Sequence, residues 1–453
     1  MAERTQNMTT GSPAKLIFTF ALPLMLGNVF QQMYTVVDTI VVGNALGIEA
    51  LAALGSGDAL HWLVLSMIQG FAQGLCIQLA QDFGAGDMKK LRRSYSTSVF
   101  LAAICAVVIL VLSLAAMVPV LKALGTPETI LPTACTYYGV VFAGMPVVMA
   151  YNMFASVLRA LGDSKTPLYA MIVASITNIV LDLMFVMLFH WGVVGAALAT
   201  VIGQALSALI CLRAVRSIAV LRLEKGEMRL HKDIAGRLLK LATPFAFQNM
   251  IIAVGSLVVQ FVINGFGVLY IAGFTATNKL YGILEIAAYS YGFAMTTYTG
   301  QNLGAGKLHR IHKGTHAGAV MGVLTAAVIS VCMFFFGRLI LGSFISGEPT
   351  EVAATVEIAY HYLCVMAAFL PVLYILYVYR SALQGLGDTV MPMVSGVAEL
   401  AARLGTILFL PLLIGEEGLF WAESNAWIAA DLVLVTSYYV RMNRLLKGAR
   451  HGE

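Results

Sequence analysis

Charge is what this sequence has least of. Of 453 residues only 28 are Lys or Arg and 23 Asp or Glu, 11% in all, where a soluble domain carries about 25%. Against them stand 59% hydrophobic residues, too many for a water-soluble fold of this length to cover. A soluble enzyme, a nucleic-acid binder and a disordered regulator are excluded together, and the net charge of +5 makes no case for nucleic acid. Paired cysteines are missing too. Cys76, Cys105, Cys135, Cys211, Cys332 and Cys364 show no CxxC spacing and most lie in apolar runs. They read as small core residues, with neither a disulfide framework nor a metal site expected. GxxxxGK[ST], HExxH and GxSxG are absent, so nothing points to an ATP-binding loop, a zinc protease or a serine hydrolase. His61, His190 and His361 are isolated. No enzyme and no cofactor is expected. MAERTQNMTTGSPAK, at the N-terminus, has no apolar h-region, and no cleaved signal peptide is expected.

What the sequence has is long apolar runs. Twelve fall roughly at 15–42, 48–80, 95–121, 129–158, 167–190, 193–216, 237–263, 268–299, 315–344, 353–383, 391–414 and 418–440, each long enough for the ~20 residues of a membrane-crossing helix. Basic residues cluster in alternate connections: Lys89, Lys90, Arg92 and Arg93; Arg159 and Lys165; Arg213 to Lys240; Lys307, Arg310 and Lys313; Arg380; and Arg441, Arg444, Lys447 and Arg450. The other connections hold Lys122 and Arg338 against Glu49, Glu128, Glu348, Glu351, Glu416 and Glu417. Positive charge stays inside, so both termini are expected in the cytoplasm and the chain in the cell (inner) membrane.

The chain also repeats itself. GNALGIEALAAL from Gly43 aligns with NGFGVLYIAGF from Asn264, and QDFGAGD from Gln81 with QNLGAGK from Gln301, both at an offset of 220. ALPLMLGN from Ala21 matches ATPFAFQN from Ala242 at 221, and LRALGDSKTP from Leu158 matches LQGLGDTVMP from Leu383 at 225. Six spans per half give both halves one orientation, related by an axis along the membrane normal, as in transporters that work about a central site. The expected plan is all-α and polytopic: a cytoplasmic tail (1–14), a six-helix lobe (15–216), a basic linker (217–236), a second six-helix lobe (237–440) and a cytoplasmic tail (441–453). The glycines suit tight turns, and Asp163 and Asp388 suit helix caps.

Six plus six spans, with GAG after span two and LGD…P after span four of each half, resemble the multidrug and toxic compound extrusion (MATE) family over nearly the whole chain. The resemblance implies twelve transmembrane helices in two pseudo-symmetric lobes. It also implies export of organic compounds in exchange for protons or sodium.

Ionisable residues at membrane depth mark function or a specific partner. Asp38 lies in span one, Asp182 in span five with Asn178 four residues earlier on the same helical face, and Thr200 in span six. Asp182 and Thr200 stand eight residues either side of the span five–six turn, at about 12 Å depth each. Two carboxylates, an amide oxygen and a hydroxyl can therefore converge. They could hold Na⁺, which favours oxygen donors as Ca²⁺ does, or protons, as a carboxyl pair titrating together. The quartet is similar to the coupling site of the DinF-like branch of the family. Pro23, in span one, is a candidate kink whose bending the resemblance implies. Spans seven and ten lack the acids of the NorM-like branch: span seven offers Asn249, Gln260 and Asn264, and span ten only Glu357 near its end. Instead Glu285 sits in span eight, Glu399 and Arg403 in span eleven, and Glu423 and Asp431 in span twelve. Glu399 and Arg403 are spaced to neutralise each other, and Glu285 either pairs with Lys279 or faces the cavity. Candidate substrate contacts are Gln31, Tyr34, Tyr137, Asn152, Met171, Ser175 and Glu285, since methionines and aromatics adapt to varied ligands and attract cations. The expected partners are small organic substrates and the lipid bilayer, with the chain a monomer. A flippase for lipid-linked oligosaccharides is the alternative, which a groove lined by basic residues would favour.

Overall fold

A bilayer leaves backbone amides no water to bond, so a spanning chain satisfies them within helices. The computed structural model describes residues 5–224, 226–263, 265, 268–345 and 349–450. Among them are fourteen α-helices and no strand: α1 (Pro13–Ser56), α2 (Asp58–Gly84), α3 (Met88–Ala123), α4 (Leu131–Ala143), α5 (Met145–Ala160), α6 (Lys165–Asp182), α7 (Gly192–Ser217), α8 (Lys232–Ile263), α9 (Val268–Leu284), α10 (Ile286–Gly304), α11 (Leu308–Phe344), α12 (Pro349–Gly385), α13 (Val390–Ile414) and α14 (Ala422–Arg450). Leu412 and Phe335 expose 79% and 78% of their surface, an outward apolar face that water would not tolerate and lipid does.

Among the described residues nine helical stretches are long and apolar enough to cross a membrane. A tenth crossing is the pair α4 and α5, bent by 42° where Pro146 follows the break at Gly144. The stretch Val390–Gly448 holds two of the expected spans, joined by a 3₁₀ turn at Gly415–Trp421. Span eight is divided at Glu285 into α9 and α10. Each expected span thus falls on a helix or a broken pair. The first break differs from expectation: α1 runs on to Ser56, with its non-helical residue at Gly47 (φ 83°) rather than a loop there. Pro23 lies inside α1.

The repeated motifs turn out to be turns and clamps. Gly86 and Gly306 take φ of 73° and 70°, and Gly162 and Gly387 take 91° and 78°, the left-handed region where a Cβ is costly. Asp163 Oδ1 accepts the backbone N–H groups of Lys165 and Thr166 at 3.0 and 2.9 Å, and Asp388 Oδ1 accepts that of Met391 at 3.1 Å; both cap the following helix. Asp82 pairs with Lys90 at 3.2 Å. At the repeated positions Asn302 Oδ1 accepts from Arg310 Nε at 3.0 Å.

The chain forms two compact units. The first holds the residues up to Met8 and Leu22–Ala246; the second holds Thr9–Ala21 and Phe247 onward. This division differs from the lobes read off hydropathy at 15–216 and 237–440. It crosses α1 and α8 beside Pro23 and Pro244, the equivalent prolines of the repeat. In the first unit the linker is pinned to α3: Arg92 Nε donates to Glu227 at 2.9 Å, Arg93 Nη2 to Asp233 at 2.7 Å, and Ser96 Oγ to the Arg229 carbonyl at 2.9 Å. The backbone N–H of Glu224, with Arg92, holds the Glu227 carboxyl below its ordinary range.

Candidate functional site

Close packing in the first unit decides which polar groups meet. A Cβ on Gly203 of α7 would come within 3.2 Å of the Ala174 carbonyl of α6, and Ser207 Oγ donates to the Ala170 carbonyl at 3.1 Å. Thr200, Gly203 and Ser207 share one face of α7, so the same seam carries Thr200 to Asn178. The α1 helix approaches α6 in the same way: a Cβ on Gly27 would meet Met171 Sδ at 3.2 Å and the Leu168 backbone at 3.6 Å. Asp38 and Asp182 each lie eleven residues beyond Gly27 and Met171, about three turns further on. Two helices running side by side in register therefore bring the carboxyls together.

Their carboxyl groups hydrogen-bond each other. Two carboxyls can share such a bond only when one of them carries a proton. Asp182 and Asn178 are buried at 0% and 3% exposure. Oriented to satisfy both neighbours, the Asn178 amide nitrogen donates to Asp182 Oδ2 at 3.1 Å while its oxygen accepts from the Thr200 backbone at 3.3 Å. The amide also lies 3.3 Å from the Thr200 hydroxyl. The expected amide oxygen is thus turned away from the carboxylates, because an N–H is the partner a carboxylate needs. Asp38 Oδ1 and Asp182 Oδ1 are buried without a hydrogen-bond partner among the described residues. Immediately after Asp182 the chain widens into a π-helical turn, Leu183–Leu188, a departure often found at functional sites. Phe185, within it, stacks on Trp191 at 4.7 Å.

Asp58, at the head of α2, acts electrostatically on Asp38; sequence reading missed it, although its place in GSGDAL was the signal. Its carboxylate accepts from the Tyr138 hydroxyl at 3.1 Å, which also bonds the Leu54 carbonyl.

Among the described residues the candidate substrate contacts each have a local partner or place. Ser175 Oγ donates to the Met171 carbonyl at 2.8 Å and Asn152 Nδ2 to the Val148 carbonyl at 2.9 Å, so each is satisfied within its own helix. Tyr137 is buried edge-on against Tyr138 at 5.0 Å, and Met171 faces Gly27. Gln31 is half-buried on α1, its carbonyl accepting from Thr35 Oγ1. The Tyr34 side chain and Asn264 lie outside the described residues.

In the second unit Glu285 accepts from the hydroxyls of Tyr377 and Tyr281; no ion pair joins it to Lys279 among the described residues. Glu399 does pair with Arg403, at 3.3 Å, but its shorter bond, 2.8 Å, is to Arg380. Arg403 in turn reaches Glu423 at 2.7 Å. Arg380 is 5% exposed, which corrects its use above as a loop charge: α12 continues to Gly385, so Arg380 lies more than a turn inside it.

The model of the family described as MatE matches residues 23–184 and again 244–405, so the duplication is matched twice by one pattern. The chain is 31% identical over 350 residues to "Probable multidrug resistance protein YpnP" of Bacillus subtilis (strain 168), covering 77% of this chain and 78% of that one. Among solved structures, it is similar to "Outward-facing conformation of a multidrug resistance MATE family transporter of the MOP superfamily", with TM-score 0.88 and 20% identity over 99% of both chains. It is also similar to "Reverse polarity of binding pocket suggests different function of a MOP superfamily transporter from Pyrococcus furiosus Vc1 (DSM3638)", with TM-score 0.90 and 20% identity over 98% and 99% of the two chains.

Proposed function

Because this chain belongs to the MatE family, we propose that it is a multidrug efflux antiporter that exports amphipathic, often cationic organic compounds in exchange for protons by alternating access. It is a multi-pass membrane transporter of small organic compounds. In this reading it acts as a monomer of the cell (inner) membrane with both termini in the cytoplasm, and needs no cofactor beyond its coupling ion.

One observation carries the choice of ion. The Asp38 and Asp182 carboxyls interact directly, an arrangement that favours a proton held between them, and Asn178, oriented to satisfy its neighbours, turns a donor rather than an oxygen toward Asp182. A Na⁺ site would ask for several oxygens aimed at one point; among the described residues the quartet leaves two oxygens without a hydrogen-bond partner, Asp38 Oδ1 and Asp182 Oδ1. When the shared proton leaves, two adjacent carboxylates repel in a water-poor interior. The strain falls on α1, which has two weak points: Pro23 lacks a backbone donor and Gly47 is already non-helical. Moving α1 against α6 would reshape the first unit around a bound substrate.

The test is efflux of a fluorescent organic cation from everted vesicles, with pH and sodium gradients imposed separately. Asp38→Asn and Asp182→Asn should each abolish pH-driven transport with expression intact. Wild-type rates from both variants would remove the site, and transport that follows only the sodium gradient would overturn the choice of ion. Pro23→Ala with unchanged transport would discard the bending of α1.

A further inference from the structure

The interior charges on α9/α10, α12, α13 and α14 do not balance. Arg380 and Arg403 bring two cations; Glu285, Glu399, Glu423 and Asp431 bring four carboxyls. Arg380, Glu399 and Arg403 are 5%, 4% and 3% exposed. Glu399 spends one oxygen on each arginine, and Arg403 also takes Glu423, so these four close as a neutral chain. Two acids are left over. Glu285 is satisfied by tyrosine hydroxyls. Asp431 is not: its Oδ1 is buried with no hydrogen-bond partner among the described residues. It stands nine residues into α14, about 14 Å along the helix and so at membrane depth. An ionised carboxylate with a bare oxygen there is costly.

A donor stands on a neighbouring helix. α12 packs against α14, Arg380 and Glu399 both act electrostatically on Asp431, and Arg380 Nε is buried without a hydrogen-bond partner among the described residues. An unfilled acceptor on α14 and an unfilled donor on α12 therefore share one interior, with Glu399 of α13 as the anion that now holds Arg380. The elements packed against α14 carry further titratable and charged groups. Asp431 acts electrostatically on Tyr379 of α12. Arg403 of α13 and Glu423 of α14 bond each other. His312 of α11 lies against Tyr439 at 6.3 Å, and Glu416 and Glu417 stand in the 3₁₀ turn before α14.

We propose that Asp431 is a second exchangeable-proton site, separate from Asp38 and Asp182, and that Arg380 shifts between Glu399 and Asp431 as that proton comes and goes. The step conserves its parts. The Asp431 O–H bond breaks, the proton passes to water, and the new carboxylate accepts from Arg380, which keeps its own protons throughout. A metal cation is a poor occupant, since the Arg380 guanidinium repels it and one bare oxygen cannot coordinate it. An anion is equally poor beside the Asp431 and Glu399 carboxyls, with Arg403 Nη1 walled by Gly255, where a Cβ would lie 2.5 Å away. The inference rests on the chain being a proton-coupled exporter, and not on which acids of the first unit carry the first proton.

The test uses the full-length protein in liposomes, with a pH step alone as the probe and the infrared C=O band of protonated carboxyls as the readout. Asp38→Asn/Asp182→Asn should keep a pH-titrating band, and adding Asp431→Asn should reduce it. Asp431→Glu, a folding control that keeps the acid, should retain the component at a shifted frequency. In proteoliposomes Asp431→Asn should halve the protons exchanged per substrate. A band that is the same with and without Asp431→Asn overturns the proposal, as does one that follows added NaCl at fixed pH. Transport by the Asp38 and Asp182 variants would count against the first site alone and leave the band assignment standing.

Discussion

Replacing Glu399 by Gln asks whether the buried chain of charges is real. Glu399 Oε2 holds Arg380 at 2.8 Å and Oε1 holds Arg403 at 3.3 Å, with side-chain exposures of 6%, 6% and 3% for the three groups. Without that carboxylate Arg403 still has Glu423 at 2.7 Å, but Arg380 has no other ion pair among the described residues while Asp431 keeps its proton. A buried charge stranded in this way costs about 3–5 kcal/mol. At the ~2–4 °C per kcal/mol of a 150–250-residue domain, the apparent melting temperature should fall by on the order of 10 °C. Glu423→Gln should cost less, about 1–2 kcal/mol, because Arg403 keeps Glu399 and the glutamine carbonyl can accept the same bond. Arg380→Met combined with Glu399→Gln should recover much of the loss, since the stranded cation goes too. Apparent melting of the detergent-solubilised variants, read by tryptophan fluorescence, gives the ranking. Equal melting of Glu399→Gln and wild type would mean that Arg380 is not held by that carboxylate, and the charge count behind the Asp431 proposal would fall with it.

The two copies of the LGD turn should respond unequally. Asp163→Ala loses bonds to Lys165 and Thr166 and should cost up to about 2 kcal/mol; Asp388→Ala loses the one to Met391 and should cost nearer ~0.5 kcal/mol, by the same melting assay. Gly162→Ala, at φ 91° with the Gln6 carbonyl 2.2 Å from the added Cβ, should cost at least about 1–2 kcal/mol. Gly139→Ala, inside α4 with nothing within 4 Å of its Cβ, should instead stabilise by about 0.5–1 kcal/mol; a melting temperature unchanged by either would count against the backbone argument. The Glu227 carboxyl is held below its ordinary value of 4.5, first by the Glu224 backbone and then by Arg92, so its hold on the linker is complete above that pH and is lost as pH falls through the lower folded value. Acid-protease cleavage of the linker should therefore rise below pH 4.5 in wild type, while Glu227→Gln should remove that step.

The sequence by itself determined that the protein spans a membrane, that it is helical and that it is duplicated. Those conclusions rest on local facts: apolar run length, charge scarcity, and glycine and aspartate at repeated turn positions. Asp38, Asn178, Asp182 and Thr200 were legible for the same reason, since polar groups are conspicuous where almost nothing else is polar. Only the tertiary structure decided how they pair, because the pairing depends on the approach of α1 to α6 at Gly27 and of α6 to α7 at Gly203, contacts between helices that no spacing within one helix encodes. Arg380 shows the same limit. Its position near the end of a span marks it as a loop charge, and only the packing of α12 against α13 and α14 turns it inward onto Glu399. The candidate substrate residues were chosen by shared helical face, but a face does not say whether its hydroxyl or amide is already held by its own backbone, as at Ser175 and Asn152.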